Sequence, residues 1–249
     1  MSTRRVAALY DIHGNLPALE AVLEEVRQAL VDQVVIGGDV LPGPMAHETL
    51  RCLLDLDIPV QFIYGNSEVA VLQQMAGTTP ARVPEQYRPA IRWTAEAVQD
   101  YRDVLAAWPM TLRVDVPGLG DVLFCHATPR NEDECFTRLT PEDRLLPVFD
   151  GLGASVVVCG HTHMQFDRVV GRTRVVNAGS IGMPFGEPGA DWLILGPDVQ
   201  LRHTAYDLAK AAERIRATAF PWPEDFATQY VLQPPSAAAM LEVFTRASI

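Results

Sequence analysis

The sequence predicts an α/β protein built around a largely parallel sheet. Three observations point there. Through residues 5–65, short apolar runs alternate with amphipathic helical stretches, the order expected of right-handed strand–helix–strand crossovers. Beyond residue 110 the chain becomes a series of short apolar runs parted by Gly and Pro turns, a β-rich second half. The apolar runs of both halves also tend to end in Asp, His or Asn, as strands do when their carboxyl ends line a shared crevice.

The elements follow in order. RVAALY (5–10) reads as a strand. Pro17 then leads into LEAVLEEVRQAL, whose apolar residues at 19, 22, 23, 26 and 30 fall on one helical face. QVVIGG (33–38) is a second strand, HETLRCLLDL (47–56) a helix and PVQFIYG (59–65) a third strand. Residues 67–108 read as a helical insert. Within it, apolar positions 91, 95, 98, 101, 105 and 108 make a stripe that suits packing on the main body and would serve equally for a second copy of the chain. TLRVDV, DVLFC, SVVVC, FDRVV, TRVVN, DWLIL and VQLRHTAY are the strands of the second half. LAKAAERIRAT (208–218) is a helix, and a tail with Pro221, Pro223, Pro234 and Pro235 wraps the surface before a last helix near 236–247. No internal repeat is visible.

At 249 residues and 48% hydrophobic, the chain fits one domain over 1–249 with an elaborated insert and a tail from about 219. A formal charge of −11 argues against non-specific nucleic-acid binding and against anionic membrane surfaces. The apolar start is interrupted by Asp11, too early for a signal-peptide core, and no uncharged apolar run approaches the ~20 residues of a membrane span. Cysteines 52, 125, 135 and 159 show no CxxC spacing, so the expectation is reduced thiols in a cytoplasmic protein.

The punctuation at the strand ends carries the chemistry. ALY is followed by Asp11 and His13, VVIGG by Asp39, FIYG by Asn66, VLFC by His126, and VVVCG by His161 and His163. Any one of these reads equally well as a cap or turn residue. Together they gather two carboxylates, four imidazoles and an amide at one sheet edge, where Asp11 and Asp39 would repel each other without a cation. Oxygen and imidazole donors without thiolate suit Mn, Fe or Zn better than a zinc finger or a calcium cage.

In that order the blocks DIHGN, GGDVLPGP, GNSE, HATPRNE and GHTH resemble the calcineurin-like metallophosphoesterase superfamily, most closely its small bacterial and archaeal phosphodiesterase-like branch, over about residues 5–206. The resemblance implies a four-layer α/β/β/α sandwich of two facing mixed sheets with a dinuclear metal centre at one edge. It assigns Asp11, His13, Asp39 and His163 to one ion and Asp39, Asn66, His126 and His161 to the other, with Asp39 bridging. Two divalent ions would result, manganese first, with Fe, Zn, Ni or Co as alternatives. A hydroxide bridging them would attack phosphorus, making Asp39, Asn66 and His126 catalytic.

Departures from the family pattern shape the expected activity. Ser67 stands where many relatives carry a histidine that helps the leaving group depart, and serine is no acid near neutral pH. The expectation is therefore hydrolysis of small phosphodiesters, with weak action on monoesters. Arg130, four residues after His126, is the expected protein cation at the substrate, or else pairs with Glu132 or Asp133. Asn66, Ser67 and Phe185 complete the expected substrate contacts, although Phe185 reads equally as packing under its loop. His47 is either a pocket acid or a solvent-facing helix residue, and His203 a strand-surface residue. Two alternatives remain: a nucleotide phosphatase or dinucleoside-polyphosphate hydrolase roofed by the insert, and a scaffold that keeps the fold to bind a partner, as the metallophosphoesterase-like retromer subunit does.

Overall fold

The protein's structure, a computed structural model, describes residues 4–249. Strands β1 (Val6–Leu9) and β2 (Gln33–Ile36) are buried at every position, because each is covered on both faces. Val6, Ala8, Tyr10 and Val35 point to one side, where they join Val114, Phe124, Val158 and Val176 from the second half of the chain. Ala7, Leu9, Val34 and Ile36 point to the other, against helices α1 (Leu16–Gln28) and α2 (Ala46–Leu54). That alternation is the physical origin of the layers: helix, sheet, sheet, helix.

With β3 (Val60–Phe62), β9 (Ala190–Leu195) and β10 (Val199–Thr204), the first sheet has the order β10-β9-β1-β2-β3. The second comprises β4 (Thr111–Val116), β5 (Gly120–Cys125), β6 (Val156–Cys159), β7 (Phe166–Val170) and β8 (Thr173–Asn177), in the order β4-β5-β6-β8-β7. Both sheets are mixed, as the family resemblance implies, and the largely parallel sheet expected from the strand–helix alternation is confined to β1, β2 and β3 in the first. β1, β2 and β3 are parallel, but β9 returns antiparallel beside β1, with Ala7 opposite Ile194. In the second sheet β5, β6 and β8 run parallel, flanked by antiparallel β4 and β7. The Tyr10 hydroxyl donates to the Val158 carbonyl at 3.1 Å, pinning the two sheets together beside the site.

The insert is helical but divided. α3 (Asn66–Met75), α4 (Arg88–Ala97) and α5 (Arg102–Ala106) are separated by irregular chain around Pro80 and Pro84 and by short 3₁₀ turns. The stripe faces inward: Ile91, Ala95, Val98, Leu105 and Trp108 all join the core beneath the first sheet's helices, and Tyr101 packs partly buried against it. Helix α1 stops at Gln28, so Leu30 falls outside it, 80% exposed and in the left-handed region. A helix absent from the sequence reading, α6 (Glu142–Phe149), covers the outer face of the second sheet through Leu145, Val148 and Phe149. At the C-terminus, α7 (Leu208–Arg216), α8 (Pro223–Phe226) and a π-helical turn (Ala227–Leu232) bury Ala212, Ile215, Phe220 and Phe226 against Ala90 of α4. Helix α9 (Ala237–Arg246) ends the chain. Among the described residues no helix is long and apolar enough to cross a membrane.

Candidate metal centre

The carboxyl ends of β1, β2, β3, β5 and β6 meet at one edge of the sandwich, and the seven sequence-predicted side chains are carried there from both sheets. The turn immediately after each strand aims the side chain. Asp11, His13, Asp39, His161 and His163 all have left-handed backbone, with φ between 48° and 65°. Leu30 is the sole other non-glycine residue with positive φ among those described. Each such conformation costs on the order of 1–3 kcal/mol and persists only where surrounding structure enforces it, which happens most often at functional sites. Glycines leave the room: a β-carbon at Gly65 would collide with the Asp39 carboxylate, and one at Gly38 with the His126 ring.

Imidazole nitrogens surround the Asp11 carboxylate. His163 Nε2 lies 3.3 Å from Asp11 Oδ1, His126 Nε2 3.8 Å and His13 Nε2 4.0 Å. His126 Nε2 is also 3.5 Å from Asp39 Oδ1 and 3.1 Å from Asn66 Oδ1, while His13 Nε2 is 3.8 Å from Asp39 Oδ2 and 3.2 Å from His163 Nε2. Two triads have donor atoms close enough to share one ion each: Asp11 with His13 and His163, and Asp11 with Asp39 and His126. Asp11 is common to both, whereas the resemblance gives the shared position to Asp39. His161 belongs to neither triad. Its ring sits edge-on to His126 with centroids 5.2 Å apart, and its Nε2 is 3.3 Å from Cys135 Sγ, leaving Nδ1 as the remaining ring donor.

Neighbouring groups set the orientation of these donors. His126 Nδ1 donates to the Gly37 carbonyl and His163 Nδ1 to the Met183 carbonyl, each at 2.9 Å, so both present Nε2 to the centre. Asp11 Oδ2 accepts from the His161 backbone N–H at 2.9 Å. Its other oxygen, Oδ1, is buried without a hydrogen-bond partner. A buried carboxylate oxygen left outside any hydrogen bond, with three imidazole nitrogens turned toward it, is a costly arrangement that a divalent cation would relieve. The donor set fits such ions.

The charges agree. Burial, aided by the neighbouring His163 and His126 respectively, pushes His13 and His161 down to about 4. Burial also works against the charged forms of His126 and His163, but Asp39 and Asp11 prevail, and both titrate above the usual histidine value. Burial would raise Asp11; His163 and His126 overcome it and hold its carboxyl well below the ordinary range.

Two of the expected substrate contacts are engaged by neighbouring protein groups. Ser67, expected on the substrate, donates its hydroxyl to Asp39 Oδ2 at 2.8 Å and its backbone N–H to Asp39 Oδ1 at 2.9 Å, although it also borders the cavity beside the centre. Arg130 faces solvent and forms a two-pronged pair with Glu134, Nε lying 3.0 and 2.9 Å from its oxygens; it lies outside that cavity. The partner is thus neither Glu132 nor Asp133. Those two acids are met by Arg82 of the insert, at 3.5 and 3.4 Å, and Arg82 borders the cavity. Phe185 stacks on the His163 ring, with centroids 5.3 Å apart and planes 19° from parallel, and leans toward Phe244. His47 is exposed beside Tyr101 on α2, and His203 pairs with Asp191 at 2.8 Å on β10, both away from the centre.

Sequence reading missed Glu68. Fully buried, it accepts backbone N–H groups from Asp39 (2.8 Å), Leu41 (3.1 Å) and Gly65 (2.7 Å), tying the loops after β2 and β3 together. Burial and the nearby Asp39 push its carboxyl up to about 7. An acidic residue three positions after Gly65 at a helix start was the available signal.

Residues 5–196 match the family model of the calcineurin-like phosphoesterase superfamily domain. A curated relative, an uncharacterized protein of Methanocaldococcus jannaschii, is 25% identical over 238 residues, spanning 87% of this chain and 93% of its own. Among solved structures, a hypothetical protein of Pyrococcus horikoshii OT3 superposes with a TM-score of 0.78 at 20% identity, over 93% of this chain and 99% of that one. A metallophosphoesterase from Sphaerobacter thermophilus superposes at 0.70 and 22% identity, over 92% and 98%. At these identities the likeness to the two structures is one of fold.

Proposed function

The chain belongs to the calcineurin-like phosphoesterase superfamily, and from that premise we propose that it is a metal-dependent phosphodiesterase acting on small phosphodiesters, weak toward monoesters. One observation carries the reading: Asp11 Oδ1 is buried, unpartnered and ringed by the Nε2 atoms of His163, His126 and His13. Asp11, His13, Asp39 and His163 would hold one divalent cation, and Asp39, Asn66, His126 and His161 a second, manganese being the first candidate. Bound there, the cations would supply Lewis acidity toward a phosphoryl oxygen and a water acidified to near-neutral pKa.

The chain's own residues prepare that reaction by orientation. Ser67 holds both oxygens of Asp39 through its hydroxyl and backbone N–H. Carbonyls of Gly37 and Met183 fix the tautomers of His126 and His163. His13, Asn66 and Ser67 form the floor where the cavity meets the centre. None of them supplies a proton to a departing alkoxide at neutral pH: His13 stays unprotonated above about 4, and serine is no acid there. Leaving groups that need no proton are favoured, which supports activated diesters over alkyl monoesters.

The test pairs elemental analysis with turnover of an activated aryl phosphodiester in added Mn²⁺. We expect bound divalent metal, measurable hydrolysis, and losses of at least ~10²-fold in Asp39→Ala and His126→Ala, the scale on which essential catalytic groups are felt. A protein loaded in turn with Mn²⁺, Ni²⁺, Co²⁺ and Zn²⁺ that turns over nothing would favour the scaffold reading.

A further inference from the structure

Beside the metal centre lies a cavity of ≈ 890 Å³ whose floor is His13, Asn66 and Ser67. A phosphate with two small ester groups fills little of it, since sites for drug-sized ligands run to about 300–1,000 Å³. Its walls come from α3, from the stretch 80–87 and the start of α4, and from the C-terminal segment 220–230. The C-terminal wall lies outside residues 5–196, so it is an addition to the matched domain.

Those walls are aromatic. Tyr87, Phe220, Trp222, Phe226 and Tyr230 all border the space. Tyr87 is 51% exposed at its margin, and Trp222 is only half-buried. Tyr230 is delivered by the π-helical turn, a conformation that recurs at functional sites. The charged groups of the lining are one cation, Arg82, against three carboxylates, Glu132, Asp133 and Asp225, and Arg82 is already engaged by the first two. A second phosphate would meet net negative charge here.

Resting on the phosphodiesterase reading above, we infer that the substrate carries a single phosphate and one bulky, uncharged aromatic arm, and that Tyr87, Trp222 and their neighbours seat that arm. Polyphosphate nucleotides fit the charge of this lining poorly.

Two esters with the same leaving group test it in the Mn²⁺-loaded protein: 1-naphthyl p-nitrophenyl phosphate and methyl p-nitrophenyl phosphate. Hydrolysis of either consumes one water, breaks the P–O bond to nitrophenol and leaves naphthyl or methyl phosphate. The naphthyl ester is expected to show a kcat/KM roughly tenfold or more above the methyl ester, the scale of one well-placed aromatic contact. Tyr87→Ala and Trp222→Leu should each lower that ratio; Tyr87, being exposed and outside the core, keeps the test independent of folding. A ratio near one, a ratio unchanged in both variants, or faster hydrolysis of a nucleoside triphosphate than of the naphthyl ester would overturn the inference. If neither ester turns over, the phosphodiesterase reading fails and the cavity is judged by calorimetry with 1-naphthyl methyl phosphate. Saturable binding weakened in both variants sustains the seat for an aromatic arm, and its absence refutes it.

Discussion

His126 and His163 titrate above the usual histidine value because Asp39 and Asp11 outweigh the burial acting on them, while burial leaves His13 and His161 unprotonated down to about 4. A protonated imidazole cannot ligate, so a cation must displace whatever protons His126 and His163 hold, and at neutral pH it displaces none from His13 and His161. Metal affinity is therefore expected to rise with pH through the range where His126 and His163 lose their protons, and binding near pH 6.5 should release more protons than at pH 8.5. Calorimetry in buffers of different ionisation enthalpy measures that release; equal release at both pH values would contradict the charge arrangement. The seven side chains themselves were legible in the sequence because each follows the end of one of five apolar strands by one to four residues, a local pattern. Arg130 shows where locality misleads. It lies four residues from His126, but the same spacing onward brings it to Glu134, and that closer carboxylate takes it away from the centre. Arg82, which does reach the cavity, lies in the irregular chain between α3 and α4, sixteen residues beyond Asn66 and without a periodic signal of its own.

At the scale of elements, the site depends on how the loop after β2 is held against the start of α3. Glu68 makes that joint through three buried N–H groups on two loops. Glu68→Gln keeps the shape but turns an amide donor toward at least one of them, which should cost about 1–3 kcal/mol. Urea unfolding, read as a lowered midpoint at constant slope, checks this. A variant as stable as the parent would mean that the joint is held by backbone packing alone. The elements that sequence reading found were those with clean periodicity, such as α1 and the stripe of the insert. Helix α6 escaped because it is eight residues long, contains Pro147, and runs its apolar residues together as LLPVF rather than spacing them by turns. The end of α1 was overrun because Leu30 continued the apolar spacing, although the helix had already closed at Ala29.

For the molecule as a whole, the two sheets are coupled at the edge where the cations are proposed to sit. Asp11, His13, Asp39 and Asn66 follow strands of the first sheet, and His126, His161 and His163 follow strands of the second. This facing arrangement came from resemblance rather than from spacing: nothing near residues 190–195 in the sequence says that they pair antiparallel with residues 6–8. In the metal-free protein, close carboxylates and left-handed backbone at five of these residues oppose the sandwich at that edge. A cation bound by both sheets cannot be retained once they separate, so its binding free energy adds to folding stability. At a hundredfold excess over Kd the gain is about 2.7 kcal/mol. In a chain of 249 residues that corresponds to roughly 5–10 °C in Tm. Chelator-treated protein should therefore melt lower by about that amount and recover on adding Mn²⁺, and His126→Ala should lose most of the response by withdrawing a second-sheet donor. An unchanged Tm in saturating Mn²⁺ would mean that no ion links the sheets, whatever the protein hydrolyses.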